Sequence, residues 1–204
     1  MTDEVRQICR RWLLLSALGA TIGFLIAYGF GPTKSGFVFV IFLLPVAAVA
    51  LAQVVALYRY QPISDMALLW LLLTPLFMLL AYMLGFAAFS GYRHVPSYRE
   101  YATVIGIVTT PVVLILGWIQ GRMLKTWLGR APFWALITAL GNLVALVVVV
   151  LLGWLLESAD LLDLLGRDRL QAAAFAPLMF VLSAVQVISL RNVALHTEPF
   201  RRVR

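Results

Sequence analysis

Apolar residues fill the chain in six long runs, approximately Trp12–Phe30, Gly36–Tyr58, Met66–Ser90, Ala102–Leu124, Phe133–Leu156 and Ala172–Leu190. The termini and the short segments between the runs hold all of the charge but Arg122. Each run approaches or exceeds the ~20 residues that a helix needs to cross a bilayer. Backbone in lipid must satisfy its own hydrogen bonds, so these runs are expected to be helices. The pattern predicts an all-α polytopic membrane protein, with residues 1–204 as a single transmembrane domain of six spans. The longest connection, Glu157–Gln171, leaves little room for a soluble domain.

Within the runs a phrase recurs. It reads Trp12-Leu-Leu-Leu-Ser-Ala-Leu-Gly19, then Trp70-Leu-Leu-Leu-Thr-Pro-Leu-Phe77, then Trp134-Ala-Leu-Ile-Thr-Ala-Leu-Gly141. A second phrase follows each copy: Ala50-x-x-Gln53-x-x-x-Leu57, Gly117-x-x-Gln120-x-x-x-Leu124 and Ser183-x-x-Gln186-x-x-x-Leu190. The glutamines lie 67 and 66 residues apart, and Pro45, Pro111 and Pro177 stand eight or nine residues before them. Self-similarity at a fixed period decides architecture. Here it predicts three tandem helical hairpins, with repeats at approximately 10–60, 66–126 and 131–193. Each hairpin returns the chain to its starting side, so like copies share one orientation and a pseudo-threefold arrangement about the membrane normal is expected.

Charge then orients the spans. Arg6, Arg10, Arg11, Arg59, Arg122, Lys125, Arg130, Arg191, Arg201, Arg202 and Arg204 fall on the side of the termini; Lys34, Arg93, Arg99, Arg167 and Arg169 fall on the other. The excess of basic residues places both termini in the cytoplasm. Composition agrees with a membrane protein: 63% of residues are hydrophobic, 12% are charged, and the mean hydropathy is +0.96. A pI near 10.1 does not point to nucleic acid, because the basic residues are scattered over short segments without a reader module; an insertion signal and anionic-lipid contact account for them. The first run follows Arg6, Arg10 and Arg11 as a signal peptide would, but it continues to Phe30 and carries the first copy of the phrase, so a retained helix is expected.

The recurring residues are the candidate functional ones. Trp12, Trp70 and Trp134 open the odd helices at the cytoplasmic side, where an indole fits an aromatic belt with its ring in lipid; they are expected as interfacial anchors. Ser16, Thr74 and Thr138 lie one turn deeper, where hydroxyls and small residues allow close helix approach. Gln53, Gln120 and Gln186 end the even helices, each with a small residue three positions before it on the same face. Two readings stand for these amides: contacts between helices, or a ring that binds a polar ligand or headgroup. Asn142 carries the same pair of readings. The prolines are expected to kink or loosen the even helices.

Other chemistry is thin. Cys9 is the only cysteine, which rules out an internal disulfide and leaves no cysteine cluster for a metal. His94 and His196 lie outside the spans, so no bis-His haem site forms within one chain. No acidic residue falls in the interior of a span, a group that proton-coupled carriers usually need. Without paired carboxylates, zinc spacing or a phosphate loop, the chain reads as a non-enzyme with no cofactor. Two outer segments add detail. Ser90–Glu100, rich in Tyr and Arg, reads as an interfacial connection. Ser158–Gly166 reads as a short surface helix capped by Ser158, stopped at Gly166 and striped with Leu161, Leu162 and Leu165.

The stretch Gly117-Trp-Ile-Gln-Gly-Arg-Met-Leu-Lys125, with Arg130-Ala-Pro-Phe-Trp134 and Ala139-Leu-Gly141, resembles a group of uncharacterised bacterial multi-pass membrane proteins. That group repeats Gly-x-x-Gln-x-x-x-Leu-Arg at a helix end, followed by Trp and Gly in the next span. The resemblance covers the hairpin junctions; Ala50 and Ser183 depart from the usual Gly. It implies the fold and brings no activity. Three tandem hairpins are similar in architecture to mitochondrial carriers, whose acidic–basic signature is missing here, and in span number to substrate-binding subunits of vitamin importers. Two functions follow. The first is a non-catalytic integral subunit or assembly factor, partnered by membrane lipids and other membrane subunits. The alternative is a small-molecule or lipid-binding transport component.

Overall fold

The computed structural model describes residues 3–30, 38–57, 65–89, 98–128, 133–159, 164–166, 169–170 and 173–194. Six long helices follow one another: α1 (Asp3–Phe30), α2 (Val38–Leu57), α3 (Asp65–Phe89), α4 (Tyr98–Leu128), α5 (Trp134–Ser158) and α6 (Phe175–Ala194). The described residues contain no strand. Among the described residues, four stretches are long and apolar enough to cross a membrane: Val5–Phe30, Ala67–Gly85, Gly106–Lys125 and Trp134–Ser158. Leu43–Leu57 and Phe175–Arg191 are shorter apolar helices. The protein is thus a helical, membrane-type chain.

Consecutive helices pack side by side, and α6 packs against α1, so the six form a closed ring; α2 also touches α6. The interior divides into layers along α1. Val5, Ile8, Cys9 and Trp12 belong to one cluster with Trp70, Trp134, Met123, Leu124 and Leu190. Ala20 lies in a middle cluster with Val49, Met78, Val113, Ala145 and Met179. Ala27 meets Ala173 at the far end. Leu14, Leu25, Leu72, Leu76, Ile107, Leu136, Leu151 and Trp154 point outward. Such an apolar exterior suits lipid, where association comes from close packing and polar contacts rather than from a hydrophobic force.

Close packing explains the small residues. A Cβ on Gly23 of α1 would sit 2.4 Å from the Pro45 Cα of α2, so the two backbones touch there. Pro45, Pro75 and Pro111 lie inside α2, α3 and α4, each removing one helix hydrogen bond. Pro177 differs: it is the third residue of α6, in the first turn, where a helix has no N–H bond to lose. The kink expected there is replaced by a helix start.

Three further expectations change. Helix α1 begins at Asp3, nine residues before Trp12, and Val5, Ile8, Cys9 and Trp12 at helical spacing form one buried stripe. Cys9 is therefore a core side chain. Tyr98–Glu100 form the first turn of α4, and residues 90–97 of that connection lie outside the described residues. Ser158 ends α5 instead of capping a new helix, because its hydroxyl donates to Trp154 O at 2.8 Å. Leu161 and Leu162 lie outside the described residues, while Gly166 turns the chain with φ +84°. The Tyr28 hydroxyl donates to Leu165 O at 2.9 Å, tying this outer segment to the end of α1.

Gly23→Ala is expected to push α1 from α2 and cost about 1–3 kcal/mol, the range for overpacking. Gly29→Ala, with nothing within 4 Å of its Cβ, should stay within about 0.5 kcal/mol of the parent. Reversible unfolding in mixed micelles measures both.

Candidate functional site

The residues of the recurring phrase meet at one end of the ring. Each odd helix turns its tryptophan inward, and each even helix brings its glutamine to the same depth. The Trp12, Trp70 and Trp134 rings form a triangle with centroids 6.0, 6.0 and 6.3 Å apart, all edge-on. Edge-to-face pairs place the positive rim of one indole on the negative face of another, worth about 0.5–1.5 kcal/mol each beyond buried area. All three indoles are at most 1% exposed. This corrects their expected orientation: the rings pack on one another in the core and not in a lipid-facing belt. A buried indole N–H needs an acceptor, and for Trp70 and Trp134 a glutamine supplies it in place of a headgroup.

The glutamines, 2–3% exposed, are bonded between helices. Trp70 Nε1 donates to Gln53 Oε1 at 3.1 Å, and Trp134 Nε1 donates to Gln120 Oε1 at 3.4 Å. The amide nitrogens donate onward: Gln120 Nε2 to Thr74 Oγ1 at 3.0 Å and Gln186 Nε2 to Thr138 Oγ1 at 3.3 Å. Gln53 Nε2 donates to Ser183 Oγ at 2.9 Å and to Gln186 Oε1 at 3.4 Å. Thr74 and Ser183 return their protons to Trp70 O and Met179 O, both at 2.8 Å. A Cβ on Gly117 would lie 3.0 Å from Ala135 Cα and 3.0 Å from Thr138 Cβ, so this glycine lets α5 reach the face of α4 that carries Gln120.

Asn142 lies apart from this ring. Its Nδ2 donates to Thr109 Oγ1 at 3.2 Å, joining α5 to α4 deeper in the bundle. Exposed Arg10, Arg122, Lys125 and Arg191 surround the tryptophan end, with the Arg122 guanidinium 5.2 Å from the Trp118 ring centroid. Residues 195–204, with the basic tail and His196, lie outside the described residues, as do Arg93 and His94.

Sequence reasoning placed the hydroxyls Ser16, Thr74 and Thr138 only as aids to close approach; Thr74 and Thr138 are acceptors for the glutamine amides. It also missed Val5, Ile8 and Cys9 beneath the indoles, although their spacing from Trp12 carried the signal. The arrangement is a network of neutral donors and acceptors that joins neighbouring helices. Comparison of the chain with protein-family models, with curated proteins and with solved structures finds no match.

Gln120→Leu strands the buried Trp134 N–H and is expected to cost about 1–3 kcal/mol, the penalty for an unsatisfied buried donor. Adding Trp134→Phe removes that donor, so the double variant should fall less far than the sum of the two singles. A double-mutant cycle on unfolding in mixed micelles reads the coupling.

Proposed function

We propose that this chain is an integral membrane protein that spans the bilayer six times as three tandem helical hairpins and serves as a non-catalytic subunit or assembly factor of a larger membrane complex. Both termini and the tryptophan–glutamine end lie in the cytoplasm of a bacterial cell, where the exposed basic residues meet anionic headgroups. The near-equal spacing of the three indoles, 6.0, 6.0 and 6.3 Å, supports a pseudo-threefold arrangement of the hairpins.

One observation carries the choice between subunit and transporter. A ligand-binding ring needs free amides, and Gln53, Gln120 and Gln186 are all engaged with side chains of neighbouring helices. The space they surround is filled by three large rings. What remains for interaction is the outside of the bundle, apolar from Leu136 to Trp154 on α5 and from Leu68 to Leu84 on α3. A transport component, the second reading, draws on Trp12 Nε1 and Ser16 Oγ, which are buried without partners.

Extraction into a mild detergent or native nanodiscs, followed by mass spectrometry, tests the proposal. A subunit should bring membrane proteins with it in fixed ratio. Recovery of the chain alone, carrying one specific small molecule, contradicts the subunit reading and favours transport.

A further inference from the structure

Among the described residues, three buried side-chain atoms lack a hydrogen-bond partner, and two of them, Trp12 Nε1 and Ser16 Oγ, lie four residues apart on α1. Both residues are 0% exposed. Their counterparts are satisfied by a common rule. A glutamine accepts from the tryptophan that follows it in the chain, as Gln53 does from Trp70 and Gln120 from Trp134. It donates to the hydroxyl of the helix before it, as Gln120 does to Thr74 and Gln186 to Thr138. Applied to α1, the rule leaves Gln53 Nε2 for Ser16, and Gln186 Oε1 for Trp12 across the α6–α1 contact.

Both are diverted by one displacement. Gln53 Nε2 turns instead to Ser183 Oγ at 2.9 Å and to Gln186 Oε1 at 3.4 Å. The cause lies in the sequence. Three residues before the glutamine stands Ala50 on α2 and Gly117 on α4, but Ser183 on α6. That position therefore carries a hydroxyl on α6 alone of the three. Its proton is committed to Met179 O, so its oxygen is left to accept from Gln53.

We propose that Gln53 has two docking positions and acts as a latch on α1. In the first, held by Ser183, neither Trp12 nor Ser16 contributes a hydrogen bond, and α1 meets the ring through packing. In the second, the Gln53 amide turns to Ser16 and releases Gln186 Oε1 to accept from Trp12. Two bonds are lost and two are gained. No orphan remains in the ring, and α1 is tied to both α2 and α6. In the exchange the Gln53 nitrogen changes partner while its Oε1 keeps the bond from Trp70 Nε1. Ser183 is the positioning residue that selects the open latch, at the contact joining α2 and α6.

Indole ¹H–¹⁵N spectra of the full chain in micelles test this, with Trp118, Trp127 and Trp154 changed to Phe so that the three core indoles stand alone. In the parent, the Trp12 indole proton is expected upfield of Trp70 and Trp134, as an unbonded donor. Ser183→Ala should move it downfield to join them, and adding Ser16→Ala should move it back. Thermal stability of Ser183→Ala should equal or exceed the parent, whereas a plain packing role for Ser183 would lower it. Ser183→Gly serves if the alanine variant fails to fold, since Gly117 occupies the corresponding position of α4. The latch is overturned if Trp12 does not respond to loss of Ser183, or responds equally without Ser16. A direct Overhauser contact between the Trp12 indole and water that persists in Ser183→Ala also overturns it, because a bound water then satisfies α1 in a single state.

Discussion

Inside a bilayer a helix gains nothing by hiding apolar side chains from its surroundings, so shape and polar pairing must do the joining. The hydrogen bonds between indoles and glutamine amides meet that requirement here. Trp70 and Trp134 each present a donor that lipid cannot satisfy, and Gln53 and Gln120 each present the matching acceptor at the same depth. The three rings then fill the centre, and their mutual edge-on contacts fix the spacing of the helices that carry them. Among the described residues, the buried side-chain atoms at this end that lack any hydrogen-bond partner lie on α1.

The remainder of the fold follows from holding six helix ends together in this way. Gly23 against Pro45 and Gly117 against Ala135 allow backbone contact where the ring would otherwise be forced open. Asn142 and Thr109 repeat the polar strategy once more, deeper and on a smaller scale. The exterior is left free of polar demands, and its broad apolar faces on α3 and α5 fit either lipid or other spans. The proposed subunit role rests on that engagement of the glutamines and on the apolar outer faces.

Much of this was legible before any coordinates. The six runs correspond to the six helices within a few residues at most boundaries, because an apolar stretch in lipid has few alternatives to a helix. The glutamines stood out because an amide is conspicuous in such runs. The tryptophans were harder. Taken singly, a tryptophan at a span entrance is indistinguishable from a headgroup anchor, since both readings put the indole at the same depth. What decides the direction is the glutamine that ends the preceding helix, and that pairing depends on which helices neighbour one another. The extension of α1 to Asp3 is obscured by Arg6, Arg10 and Arg11, of which Arg6 and Arg10 are exposed and Arg11 half-buried, while Val5, Ile8 and Cys9 pack inward. Ser183 was read as merely small; its hydroxyl matters because Gln53 comes within 2.9 Å of it, a meeting of residues 130 positions apart.

Exchange of the indole hydrogens into deuterated buffer tests the internal ring most directly. The account predicts that Trp70 and Trp134, buried and bonded to glutamine, keep their indole protons far longer than outward-facing Trp118 and Trp154 in the same micelle. Loss of all four at similar rates would mean that the tryptophans stand at the membrane surface, and that no indole–glutamine ring holds the bundle together.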